Sequence, residues 1–257
     1  MGLSDHIRGM ELAEALRATA GTVSVVGAGG KKSTLYALAN ALDRAVLTAT
    51  VRIPIFDQYV ADVAITEDPV SVLRGASAWP LGLVPAQERP DRYFGYDRET
   101  VDAIADAGVA DVVLVKADGA RMREFKAPDD DEPQIPPGTD TVLPIASTHI
   151  VGQPLATGYV HRPERVADVT GLSPGDAIGA DDVATVLASE RGGLKNVPEG
   201  AIVVPVVNKV DDDELAEVGR EIADGVLART ANSVVNVPQV ALTKLIADDP
   251  VVDVVER

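Results

Sequence analysis

Thr22-Val23-Ser24-Val25-Val26-Gly27-Ala28-Gly29-Gly30-Lys31-Lys32-Ser33-Thr34-Leu35 carries a β-branched apolar run through three glycines into two lysines, two hydroxyls and a helical pattern. A phosphate-binding loop is built this way. Glycines let backbone amides curl around an anion, the helix behind them offers its positive N-terminal end, and lysine adds a mobile charge. The full pattern G-x-x-x-x-G-K-[ST] would put its first glycine at Val25 and its hydroxyl at Lys32. What stands here is the shorter Gly27-x-x-Gly30-Lys31, with Ser33 and Thr34 displaced by one and two places. Gly27, Ala28, Gly29, Gly30, Lys31, Lys32, Ser33 and Thr34 are the candidate phosphate site; the alternative is a strand-to-helix turn without a ligand.

Around this segment the elements alternate. A first helix is expected over about Asp5–Ala18, and strands at Val23–Val26, Ala45–Thr50, Val112–Lys116, Thr141–Ile145, Ile202–Val207 and Val234–Val237. Helical patterns fall at Ser33–Leu42, Arg98–Ala107, Arg162–Val169, Asp181–Ser189, Asp213–Ala228 and Val240–Ala247. Strands apolar on both faces, interleaved with amphipathic helices, predict a three-layer α/β fold with a mostly parallel sheet. Right-handed crossovers then gather the strand-to-helix loops at one edge, where ligands bind. A single domain over residues 1–257 is expected. It carries an irregular insertion at about 53–96, rich in Pro, Gly and aromatics, and an exposed loop at Lys126–Asp140.

Composition narrows the function classes. The chain has 257 residues, 46% hydrophobic and 25% charged, enough for one sizeable α/β domain. It has no cysteine, which excludes disulfides, thiolate metal sites and cysteine nucleophiles. No apolar run would span a bilayer, the start lacks a basic-then-apolar signal, and Gly2 is poorly followed for myristoylation; a cytoplasmic protein is expected. The net charge of −17 repels nucleic acid and anionic membranes, so neither is an expected partner. With arginine above lysine, much alanine and valine and three phenylalanines, the composition resembles that of proteins from salt-loving archaea.

Three further motifs carry chemistry. The strand Val112–Lys116 leads into Ala117-Asp118-Gly119, and a carboxylate there commonly reaches a magnesium ion; an Asp-Gly turn is the plain alternative. Asn208-Lys209-Val210-Asp211 follows a buried strand and matches the base-recognition element of GTP-binding proteins. Asp211 would take two hydrogen bonds from guanine, Lys209 would cover the base, and Asn208 would tie the loops together. The alternative is an N-cap at Asp211 or Asp212. Arg121, Arg123 and Lys126, just after Asp118, would neutralise an anionic substrate or a transferring phosphoryl group, or else form a solvated loop. The hydroxyls of Thr48–Arg52 are candidates for magnesium or the terminal phosphate, and His149, His161 and Arg162 for substrate contact.

Taken in order, these blocks resemble the YqeC-type family, described as accessory proteins for selenium-dependent molybdenum hydroxylases. The resemblance rests on Val26–Lys31, Thr48–Arg52, Ala117–Arg121 with Lys126-Ala127-Pro128, His161–Glu164, Gly192–Lys195 and Asn208–Asp211. It implies a phosphate-loop NTPase-like fold and a role in maturing a molybdenum or selenium cofactor. Two departures fall at the metal: Lys32 stands where the family usually has threonine, and Lys116 where it usually has glutamate. The leading expectation is a GTP- or ATP-binding accessory protein. Lys31, Asp118 and Arg121 would act on the phosphates, and Ser33 and Asp118 would hold any Mg2+. An anionic small molecule or cofactor precursor and a molybdenum hydroxylase are the expected partners. The alternatives are a kinase or ligase acting on a small acid, and a non-hydrolysing nucleotide-bound scaffold.

Overall fold

A computed structural model describes residues 3–257. Helix α1 (Leu3–Ala15) precedes strand β1 (Gly21–Gly27), the glycine loop opens into helix α2 (Lys31–Ala41), and strand β2 (Ala45–Ala49) follows. β1 lies mid-sheet, paired in parallel with Val112–Lys116 on one side and Thr141–Ser147 on the other. Outward from Val112–Lys116 come β2, Leu81–Val84 and Asp62–Ile65; outward from Thr141–Ser147 come Val206–Asn208, Gln239–Thr243 and Val251–Glu256. Every neighbouring pair along this path is parallel except the last, which is antiparallel.

Both faces of the sheet are covered. Leu12 and Leu16 of α1 and Leu35 and Leu38 of α2 pack on Val23, Val25, Leu114 and Leu143. On the other face, Val26, Val142 and Val207 meet Val183 and Leu187 of helix Ala180–Leu187, and Ile222 and Val226 of helix Asp213–Thr230. Val113 and Val115 turn away from Leu114, toward Val101 and Ile104 of helix Arg98–Asp106, as the two-residue period of a strand requires. Each such fully buried aliphatic side chain contributes about 1.5–3 kcal/mol of transfer free energy. This is the expected three-layer α/β architecture. The chain leaves β1 toward β2 on one side and later returns to Thr141–Ser147 on the other. The carboxyl end of β1 is therefore a topological switch point, where a crevice opens.

Several elements differ from expectation. Val240–Ala247 is not a helix: Gln239–Thr243 is a strand with all five residues buried. Val234–Val237 forms no strand; Asn236 bridges to Ile202, and Val237 is buried in the core beside the sheet. The antiparallel C-terminal strand Val251–Glu256 had no counterpart in the sequence reading. Ile202–Val207 is split into Ile202–Val203 and Val206–Asn208, because Pro205 has no amide to donate. Residues 53–96 supply two strands of the main sheet, and Ile53–Pro54, Arg92–Tyr93 and Gln87–Arg89 form a small antiparallel sheet of their own. The loop after Lys126 is tied down: Pro133, Ile135 and Pro136 are buried, and Lys195 Nζ donates to the carbonyls of Asp129 and Asp130. Gly2 lies outside the described residues.

Candidate polyanion site

The glycine loop is shaped by what crowds it. A Cβ on Gly30 would stand 2.3 Å from Asn208 Nδ2, and one on Gly29 2.7 Å from Ser147 Cβ, so neither position tolerates a side chain. Gly29 also has φ +91°, a conformation open to glycine. Three of the loop's amides are already used. Gly27 N–H donates to Asp118 Oδ2 (2.9 Å), Ala28 N–H to Ile145 O (2.9 Å), and Gly29 N–H to Arg123 O (3.1 Å). The cradle is therefore narrower than Gly27–Thr34. No side chain caps α2, and the first amide to find a helical acceptor is Thr34, on Gly30 O at 3.0 Å. The amides of Lys31, Lys32 and Ser33 form the unsatisfied positive end of the helix.

That end opens into a cleft of about 810 Å3. Its walls come from the segments after β1, β2, Val112–Lys116 and Val206–Asn208, all at carboxyl ends of parallel strands, with additions from the small antiparallel sheet. Nine lining residues are lysine or arginine and two are glutamate, in a chain of net charge −17. Among the described residues six non-glycine positions have positive φ, and four of these line the cleft: Arg121 (46°), Met122 (62°), Arg162 (60°) and Lys209 (63°). Such backbone costs about 1–2 kcal/mol per residue and is characteristic of binding sites.

A buried charge cluster lies behind this lining. Lys31 Nζ donates to Asp118 Oδ1 and to Gly27 O, and Lys126 Nζ lies 2.9 Å from Asp118 Oδ2. Burial alone would raise the Asp118 carboxyl, but the two ammoniums outweigh it and hold its pKa down at about 2. Lys31 is lowered from its usual value, first by burial and against the pull of Asp118. Lys116 is 6% exposed and donates to Arg52 O (2.8 Å) and Asp118 O (2.7 Å). Burial, aided by the nearby charge of Lys31, brings its pKa to about 7. Glu132 closes the network, accepting from Lys126 and from Arg162 Nη1, each at 2.7 Å.

The expected site residues separate into those that reach the cleft and those that do not. Lys31, Lys32, Ser33, Arg121, Arg123, His161, Arg162 and Lys209 line it, as do Ala28, Gly29 and Gly30. Thr34 does not: its side chain is buried and bonds back to Gly30 O, as Thr commonly does in a helix. Gly27, Asp118 and Lys126 do not line the cleft either: behind its wall Asp118 accepts from Gly27 N–H and pairs with Lys126. Thr48 and Thr50 spend their hydroxyls on the carbonyls of Leu83 and Gln134. Asp211 lies off the cleft with one oxygen 2.8 Å from His149 Nε2, while Asp212 caps the following helix through Leu215 N–H. Asn208 is buried and holds the loop, donating to Gly29 O at 2.8 Å. Burial together with the charge of Arg162 lowers His161 to about 4, so it is a neutral ring in the wall at pH 7. Sequence reasoning missed Arg92 and Phe94, which come from a stretch without periodicity; their one signal was an aromatic between arginines in an acidic chain.

The sequence model of the family described as YqeC protein matches residues 23–164. The uncharacterized protein YqeC of Escherichia coli (strain K12) is 32% identical over 199 residues, which are 76% of this chain and 78% of that protein. The chain belongs to the YqeC family. The matched YqeC segment contains the glycine loop, Asp118 and Arg162, whereas Asn208–Asp211 lies beyond it. Among solved structures, the crystal structure of HypB from Helicobacter pylori in complex with nickel is 12% identical, with 95% of this chain and 88% of that chain covered and a TM-score of 0.37.

A divalent ion held directly by Asp118 does not fit this arrangement. The carboxylate already accepts from Gly27 N–H and two lysines, and among the described residues no three acidic or histidine side chains converge as a metal site. Lys32 and Lys116 add positive charge on the same side.

Proposed function

We propose that this YqeC-family protein binds a nucleoside triphosphate, GTP or ATP, as an accessory factor in the maturation of a molybdenum- or selenium-dependent hydroxylase. One observation carries the reading: an uncapped helix end meets a cleft with nine cationic and two anionic side chains, in a protein of net charge −17. Such a site suits an anion of high charge density and little else.

In this reading the amides of Lys31, Lys32 and Ser33 take the phosphates. Lys31 leaves Asp118 to meet them, and Arg121 stabilises charge that develops on the terminal group. Asp118 then stays neutralised by Lys126 and positions Gly27, so any hydrolysis relies on positioning and charge rather than on a covalent nucleophile. Lysine ammoniums take over most of the role usually given to magnesium, with Ser33 the remaining hydroxyl for an ion carried in with the nucleotide. The base would lie toward Lys209, with Asp211 available to guanine once His149 is displaced. The full engagement of Asp118 favours slow turnover or a nucleotide-locked scaffold over a fast enzyme. We read the acidic surface as an adaptation to concentrated salt, independent of this site.

The test is a thermal-shift and calorimetric titration with GTP, ATP and GDP in molar potassium chloride, with magnesium and with EDTA. A ligand at a hundred times its dissociation constant adds about 2.7 kcal/mol of stability. No shift with any triphosphate overturns the reading.

A further inference from the structure

We propose that Arg52, Arg92 and Phe94 form a second binding site in the same cleft, for a planar aromatic ring that carries a phosphate or carboxylate and is held alongside the nucleotide. The inference rests on the nucleotide reading only for the word alongside; the site itself stands on different residues.

Phe94 is the first observation. The chain has three phenylalanines; Phe56 and Phe125 are fully buried, while Phe94 is 39% exposed and lines the cleft. Its backbone is fixed by Phe94 N–H donating to Ala86 O (3.0 Å), and the Arg52 guanidinium carbon lies 5.6 Å from its ring centroid. With the guanidinium over one face of the ring, the other face can stack a flat ring whose anionic substituent the arginines hold.

Arg92 is the second. The neighbouring arginines have partners: Arg52, in the wall, bonds Glu88 Oε1 at 2.6 Å, and Arg89, off the cleft, lies 3.8 Å from Glu88 Oε2. Arg92 makes no ion pair among the described residues, and its Nε is out of water with no acceptor. Arg92 lines the cleft without a carboxylate, and an anion bound there would supply its missing partner. It sits next to Tyr93, whose hydroxyl donates to Asp57 (2.8 Å), so the strand that carries it is anchored on its far side.

Charge balance is the third. Five of the nine lining cations, Lys32, Arg92, Lys116, Arg121 and Arg123, pair with no carboxylate among the described residues. The cations without a carboxylate fall in two places. Lys32, Lys116, Arg121 and Arg123 stand at or after the ends of β1 and Val112–Lys116, and Arg92 belongs to the small antiparallel sheet. Two places of unmet charge call for two anions. At about 810 Å3 the cleft is at the upper end of the range for small-molecule pockets, which leaves room for both.

The test titrates phenyl phosphate, cyclohexyl phosphate and inorganic phosphate into the full-length protein, alone and saturated with a non-hydrolysable triphosphate analogue. Arg92→Gln and Phe94→Leu are measured in parallel. The proposal requires phenyl phosphate to bind the triphosphate-saturated protein and to weaken at least tenfold in Arg92→Gln. Its advantage over cyclohexyl phosphate should disappear in Phe94→Leu, with triphosphate affinity unchanged in both variants. Mutual competition between phenyl phosphate and the triphosphate, or indifference to Arg92→Gln in a variant that keeps the wild-type melting temperature, overturns it. If no triphosphate binds the wild type, the nucleotide reading fails on that separate titration, and the Arg92 dependence of phenyl phosphate alone decides the second site.

Discussion

Asn208 Nδ2 donates to Gly29 O at 2.8 Å across 179 positions of sequence, while its Oδ1 accepts from Thr243 Oγ1 (3.1 Å). One buried amide thus ties the glycine loop to a strand three places away in the sheet. Replacing it with alanine leaves buried polar groups on both sides without partners. Asn208→Ala should cost about 1–3 kcal/mol and weaken triphosphate binding as well. Urea unfolding at constant slope reads the first effect and calorimetry the second. A variant of wild-type stability would remove Asn208 from the account of the loop.

Lys116 gives a pH signature. Its value is about 7 in the fold against an ordinary 10.5, so between these the unfolded chain holds a proton that the folded chain has released. Stability therefore rises with pH across that window through this group. Asp118 acts at the other end: its contribution is complete above the ordinary carboxylate range and is lost as pH falls toward 2. Lys116→Met should flatten the rise between pH 7 and 10.5 relative to wild type. Parallel stability curves for the two proteins would refute the assignment.

Magnesium should matter little to triphosphate affinity in the wild type. The double variant Lys32→Thr with Lys116→Glu replaces two cations with a hydroxyl and a carboxylate. It should bind weakly in EDTA and recover at least tenfold with magnesium. An EDTA-sensitive wild type would count against the lysine cluster as a substitute for the ion.

The base preference turns on Asp211, whose pair with His149 is about 40% exposed on both sides and so holds weakly. Removing the histidine with His149→Ala should raise the GTP-to-ATP affinity ratio. Asp211→Ala should bring that ratio to unity. Equal ratios in all three proteins would exclude guanine recognition at this loop.

Potassium chloride should stabilise the fold progressively. Self-repulsion among 40 acidic residues is screened over about 10 Å at 0.1 M salt but about 3 Å at 1 M. The melting temperature should climb between these concentrations, and a flat profile would sever the charge from salt adaptation.

The parts of this molecule with strong local grammar were readable. The run from Val23 through Lys31, the strand before Asp118 and the strand before Asn208 each join an apolar stretch to a loop whose residue types have one physical use. Where burial rather than pattern decides, reading failed. Val240, Ala241 and Leu242 followed by Leu245 and Ile246 fit a helix face as well as a strand, and only enclosure between Val206–Asn208 and Val251–Glu256 selects the strand. Thr34 and Lys126 are the right residue types in the right neighbourhood, yet their neighbours take them first. Arg92 and Phe94 were invisible because their meaning is conferred by a small sheet that no periodicity announces.

Lys31, folded onto Asp118 and the Gly27 carbonyl, makes the empty protein its own competitor. An incoming ligand does not fill a vacant electropositive hole; it must outbid an internal counter-ion. On the nucleotide reading, chloride or a lone carboxylate offers too little charge for that exchange, whereas a chain of phosphates offers enough. In concentrated salt, such a threshold would keep small anions from occupying the loop.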